Sequence, residues 1–130
     1  ATLVSVLFAD KEGVMKDMVL GYDDAASYEK GTSCFGATIG RNGNRIKDAR
    51  FTIDGKEWVI EANENNNSLH SGKNGFNHLM WEMKESGDNY VTFYHYSPQE
   101  EQGFPGNMHV TVTQCCSKIG NLHYRMIFIF

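Results

Sequence analysis

Two short stretches carry the residue types that can do chemistry. In "GATIGRNGNRI", residues 36–46, Asn44 and Arg45 follow a glycine-rich turn; in "NNNSLHSGKNGF", residues 65–76, a single histidine, His70, sits among neutral amides and hydroxyls. A guanidinium presents several N–H donors in a fixed fork, suited to hydroxyl or carboxylate oxygens. A neutral imidazole donates at one nitrogen and accepts at the other, and it exchanges a proton near pH 7. Together with Asn65, Asn66, Asn67, Ser68 and Ser71 this is an inventory of neutral donors and acceptors, poor in charge, that suits a polyhydroxyl ligand. Each stretch also has a plainer account, Arg45 as a surface or ion-pair residue and His70 as an exposed group in a polar turn. A phosphate loop is not among the options. The G-x-G-x-x-G spacing and the Gly-Lys-Ser/Thr ending are both missing, and no long helix follows.

Other reactive residues show no organised pattern. His70, His78, His95, His109 and His123 have no metal-ligand spacing, and the last three fall on separate expected strands, so no metal site is expected. Nothing marks Cys34, Cys115 or Cys116 as a nucleophile. Tyr90, Tyr94 and Tyr96 recur at every second or fourth position, as one face of a strand does.

Strands must position these groups. "ATLVSVLFAD" and "MKDMVLGY" flank the turn-forming "DKEG", and "RFTIDGKEWVIEA" alternates apolar and polar residues about Asp54-Gly55, a pair that tolerates positive φ. "LMWEMK" and "YVTFYHY" flank "SGDN"; Val91, Phe93 and His95 are expected on one face and Tyr90, Thr92, Tyr94 and Tyr96 on the other. "MHVTVTQC" and "LHYRMIFIF" flank a turn expected at "KIGN". The segment before Gly40 is expected to be a strand running into the Asn44-Arg45 turn. Helix is confined to "DDAASYEK", where Asp23 or Asp24 caps a turn or two before Gly31. Loops 63–78 and 97–107 are long, which in a compact domain points to function or mobility. The apolar "RMIFIF" presents an edge open to self-association.

The 130 residues suit a single domain, and a chain of this size buries roughly two-thirds of its unfolded surface. A net charge of −4 lacks the clustered Lys and Arg that hold nucleic acid. No apolar run approaches the ~20 residues of a membrane helix. Three cysteines make no even disulfide framework, and the first residues lack the layout of a secretion signal, so a reducing, cytoplasmic setting is expected.

"GATIGRNGNRI", "FTIDGKEW", "NNNSLHSGKNGF", "MWE", "VTFYHYSP" and "GFPGN" occur in an order and spacing that resembles the aldose 1-epimerases, the galactose mutarotase family. The likeness implies an all-β, antiparallel β-sandwich of which residues 1–130 are a truncated N-terminal part. It implies interconversion of the α and β anomers of a hexose such as galactose or glucose, without a cofactor. A carboxylate takes the anomeric proton while a histidine protonates the ring oxygen. By position, Asn44 and Arg45 resemble the family's sugar-contacting Asn-Arg pair, and His70 the histidine of its Leu-His-Gly-Gly loop. The acid histidine and base glutamate of the family fall beyond residue 130, so the chain is expected to carry a binding wall with little or no catalysis. A non-catalytic carbohydrate-binding module is the alternative. Ser71 and Gln102 depart from the family's usual glycine and acidic residue.

Overall fold

The computed structural model describes residues 1–116 and 122–129. It divides into two compact units, Ala1–Thr38 and Ile39–Phe130. Every strand pairing among the described residues is antiparallel.

In the first unit β1 (Leu7–Ala9) pairs with β2 (Met15–Asp17) across the expected turn, though each is only three residues long. Asp10 holds that turn by accepting from the main-chain N–H groups of Glu12 and Val14, both at 2.9 Å. Helix α1 (Ala25–Lys30) is capped by Asp24, whose carboxylate accepts from the N–H of Ser27 at 2.9 Å. Tyr22 packs edge-on against Tyr28 with ring centroids 5.2 Å apart.

The second unit departs at its start from the expected strand plan. No strand forms over residues 38–40. Gly40 instead lies against the buried Phe76 ring, so close that a Cβ would meet Cδ2 at 2.2 Å, and its carbonyl accepts from the Phe76 N–H at 3.2 Å. Tertiary packing takes the backbone group that a strand ladder would have used. Strand β3 is just Arg45–Ile46, and it pairs with β6 (Ser68–Leu69), a two-residue strand inside the expected 63–78 loop. Hairpin β4 (Arg50–Ile53) and β5 (Lys56–Val59) forms as the sequence predicts. Asp54 at φ 51° and Gly55 at φ 76° supply the left-handed pair that matches the twist of a two-residue hairpin.

The largest sheet has the order β10-β9-β8-β7, from β7 (Glu82–Gly87), β8 (Tyr90–Ser97), β9 (Met108–Cys116) and β10 (Leu122–Ile129). Its β8–β9 register pairs Phe93 with Val112 and His95 with Val110. Val91, Phe93 and His95 therefore share a face with the buried Met108, Val110, Val112 and Gln114, as the alternation predicts. On the opposite face the Thr92 and Thr113 hydroxyls meet at 2.9 Å. A bulge between Met83 and Glu85 shifts the β7 register. The turn expected at "KIGN" lies outside the described residues. A second cluster packs Ala49, Ile60 and Phe104 under Ile46 and Phe51, and Phe51 stacks on Phe104 with ring centroids 5.7 Å apart.

Candidate functional site

The β3–β6 pairing brings the two candidate stretches together. Arg45 stands opposite Leu69, so Asn44 and His70 face each other one step beyond the paired residues. Two hydrogen bonds join them, one between backbones and one from backbone to ring. The His70 N–H donates to the Asn44 carbonyl at 3.0 Å, and the Asn44 N–H donates to Nδ1 of the His70 ring at 3.0 Å. Because Nδ1 accepts, the proton of the neutral imidazole resides on Nε2, which is thereby available as a donor. Both residues are in the left-handed region, at φ 66° for Asn44 and 55° for His70. Such conformations cost about 1–3 kcal/mol each outside glycine and persist where surrounding structure imposes them.

Arg45 is not an unengaged fork. Nε and Nη2 both donate to the Glu64 carboxylate, the latter at 2.5 Å, and Nη1 donates to Asn44 Oδ1 at 3.2 Å. The hydrogen bonds from Arg45 hold the Glu64 carboxyl below its ordinary 4.5, and the pairing raises Arg45 in turn. Of the five guanidinium N–H groups one on each terminal nitrogen remains, as do both amide hydrogens of Asn44. These groups and the Nε2–H of the half-buried His70 are donors with no acceptor among the described residues.

The neutral residues near His70 divide differently from the expectation. Asn67 accepts from the Asp48 N–H at 3.1 Å, while Ser68 and Ser71 are each 1% exposed, so these three build the loop instead of facing outward. Asn63, outside the original set, brackets Leu69 by accepting from its N–H at 2.7 Å and donating to its carbonyl at 2.9 Å. Two hollows of this unit, about 540 and 480 Å³, are lined elsewhere, the larger by Ile46, Phe51, Ile53, Phe104 and Phe128. Asn44, Arg45 and His70 line neither, although their chain neighbours Asn42 and Ile46 line the larger.

Arg41 carries a role that its sequence position does not suggest. Its guanidinium donates to Ser97 Oγ at 2.7 Å and to the carbonyls of Ser97, Pro98, Pro105 and Gly106 at 2.7–3.0 Å, clasping both ends of the 97–107 loop. The Ser97 hydroxyl donates to the Glu101 carboxylate, which lies 3.2 Å from Nε2 of His95. His95 also contacts the Phe76 and Trp81 rings. This half-buried chain is scaffold for the loop. Glu64 and Arg41 are not legible as site-building residues in the sequence, and Ser71 bonds Asn42 instead of facing a ligand, since their partners lie 19 to 65 positions away.

The architecture defines the class first. An antiparallel all-β chain with this course matches the GalM/aldose epimerase homologue from C. elegans at a TM-score of 0.92 and 32% identity, over 97% of this chain and 39% of that one. Galactose 1-epimerase from Lactobacillus acidophilus NCFM, at 22% identity and a TM-score of 0.83, shares the fold. The fold is thus a part of the galactose mutarotase-like β-sandwich. The family pattern described as Aldose 1-epimerase matches residues 1–125, and the chain belongs to that family. It is 39% identical over 112 residues to galactose mutarotase of Rattus norvegicus and 35% identical over 112 residues to aldose 1-epimerase of Escherichia coli (strain K12). In both comparisons 86% of this chain is covered but 32% of the relative. The chain spans about a third of the length of these curated relatives.

Proposed function

We propose that residues 39–130 supply the sugar-binding wall of an aldose 1-epimerase acting on a hexose such as galactose or glucose, with Asn44, Arg45 and His70 contacting the substrate. The reciprocal Asn44–His70 bonding carries this reading. It leaves the Nε2–H of a neutral imidazole as a donor near the amide and guanidinium of Asn44 and Arg45, and such a donor set complements the lone pairs of sugar hydroxyls. Neutral donors suit a neutral ligand. A phosphate or carboxylate would be better met by an unpaired guanidinium, whereas here Glu64 already balances the charge of Arg45.

The His70 wall orients the ring; proton transfer at the anomeric hydroxyl and ring oxygen belongs to the acid histidine and base glutamate of the family, which match no position in 1–130. Each such group contributes typically 10²–10⁴-fold. The chain by itself is therefore expected to bind hexose weakly and to exchange anomers little above the rate in buffer. The setting is proposed to be reducing and cytoplasmic, with no cofactor.

Two measurements on the chain test the reading. Titration of galactose and glucose against tryptophan fluorescence should show saturable binding, weakened in His70→Ala. Polarimetry on fresh α-galactose should show a rate close to buffer. Binding without anomer exchange agrees equally with a non-catalytic carbohydrate-binding module. Absence of binding at high sugar concentration overturns the assignment of Asn44, Arg45 and His70, and a fast rate lost in His70→Ala overturns the assignment of proton transfer to other residues.

A further inference from the structure

Ser71 is 1% exposed, yet its hydroxyl makes two hydrogen bonds to one residue of another loop. It accepts from the main-chain N–H of Asn42 at 2.7 Å and donates to the main-chain carbonyl of Asn42 at 3.1 Å. A hydroxyl is one donor with two acceptor sites, and here one of each is applied to the two faces of a single residue, as a paired strand would do. The next contacts in the chain are those of the wall: Asn44 N–H to His70 Nδ1, and His70 N–H to the Asn44 carbonyl. The two loops are thus joined twice, through side chain and backbone at residues 42 and 71 and again at 44 and 70.

The backbone at these points is not in a conformation the residues prefer. Asn44, His70 and Ser71 all have positive φ, with Ser71 at 71°. Adjacent Gly72 continues the left-handed run at 96°, and a Cβ there would meet Glu61 Oε2 at 2.6 Å. Three non-glycine residues in that region need compensating bonds to hold them. Among the described contacts, the Ser71 hydroxyl is the side-chain group that ties the 70–72 run to the 42–44 turn from its buried side. If the 42–44 turn moves away, the Asn44 N–H leaves Nδ1, and the imidazole is released to take either tautomer.

We propose that Ser71 is a positioning residue whose buried hydroxyl locks the Asn42–Asn44 turn against the His70 loop, and thereby sets the His70 tautomer that offers Nε2–H to the ligand. This rests on the sugar-wall reading for its consequence, but the lock itself is observable without sugar.

The experiment is nuclear magnetic resonance of the chain and of Ser71→Ala, Ser71→Gly and Ser71→Thr, recording the His70 imidazole nitrogens and the hydrogen exchange of the Asn44 amide. In the unaltered chain Nδ1 should be unprotonated and Nε2 protonated. Ala removes both bonds and keeps a Cβ at positive φ; Gly removes both bonds and relieves the conformational cost. Both should mix the His70 tautomers and speed Asn44 exchange roughly five- to thirtyfold, the effect of losing one or two net hydrogen bonds. Thr retains the hydroxyl but adds a β-branch at a buried, positive-φ position, so folded Ser71→Thr should keep the original tautomer while losing stability. A simple packing role would separate Ala from Gly by stability and leave the tautomer alone. Unchanged imidazole nitrogens in folded Ser71→Gly, or an Nδ1–H tautomer in the unaltered chain, overturns the lock. The latter result overturns the lock even where variants fail to fold. Galactose titration of the same samples separates the two ideas: loss of the lock with no sugar binding in the parent chain fails the wall alone, and an intact wall with an indifferent Ser71 fails the lock alone.

Discussion

The main-chain N–H of Asn44 donates to the ring nitrogen Nδ1 of His70 at 3.0 Å, across 26 residues of chain. That one bond turns a residue able to donate or accept at either nitrogen into a directional donor. It also makes the site a property of two loops held in register by β3 and β6, with neither loop sufficient.

Removing either half of the donor set should weaken sugar binding by a modest, countable amount. His70→Ala deletes one neutral donor and is expected to lower galactose affinity roughly three- to tenfold in a fluorescence titration, in line with the net worth of one hydrogen bond. Arg45→Lys keeps the charge and loses the fork, so its affinity should fall as well. An unaltered affinity in both variants would move the ligand elsewhere.

The Arg45–Glu64 pair predicts a pH signature. The folded Glu64 carboxyl lies below its ordinary 4.5, held there chiefly by the Arg45 hydrogen bonds. A depressed carboxylate stabilises the fold fully above its unfolded value and loses that contribution as pH falls through the folded value. Thermal melts of the parent and Glu64→Gln should therefore differ by a constant amount from neutral pH down to the ordinary carboxylate range. Below it the two curves should converge. Convergence on raising the pH instead would contradict the pairing.

Arg41 is expected to matter for stability more than for ligand affinity. Arg41→Met abandons four carbonyls and the Ser97 hydroxyl, and leaves the Glu101 carboxylate without its nearby cation. The loss should be on the order of 3 kcal/mol in urea unfolding, because groups left unsatisfied away from water cost more than the bonds they made. Faster amide exchange should appear first across 97–107.

Gly40 tests the packing that replaced the expected strand. Gly40→Ala places a methyl 2.2 to 3.0 Å from three atoms of the Phe76 ring, which is 2% exposed and edge-packed on Trp81. The ring has little room to retreat, so overpacking of about 1–3 kcal/mol is expected. Chemical denaturation measures it. A stable Gly40→Ala would mean that the ring adjusts freely.

Much of the strand plan was legible because its signals are local. Asp54-Gly55 sets a hairpin by the φ values its residues accept, and alternation along 91–97 and 108–114 assigns faces by the pleat alone. The failure at 38–40 has the complementary cause: a glycine-bearing apolar stretch looks like a strand until a buried ring occupies its flank.

The sequence by itself determined the antiparallel character and the family, and it nominated Asn44, Arg45 and His70 by their likeness to family motifs, since motif order and two-residue periodicity survive without coordinates. Only the tertiary structure decided which atoms those residues present. Glu64 on Arg45, Asn44 on His70 and Ser71 on Asn42 join positions 19 to 29 apart. Such contacts form when strand pairing closes the intervening loops, and no local preference records their outcome.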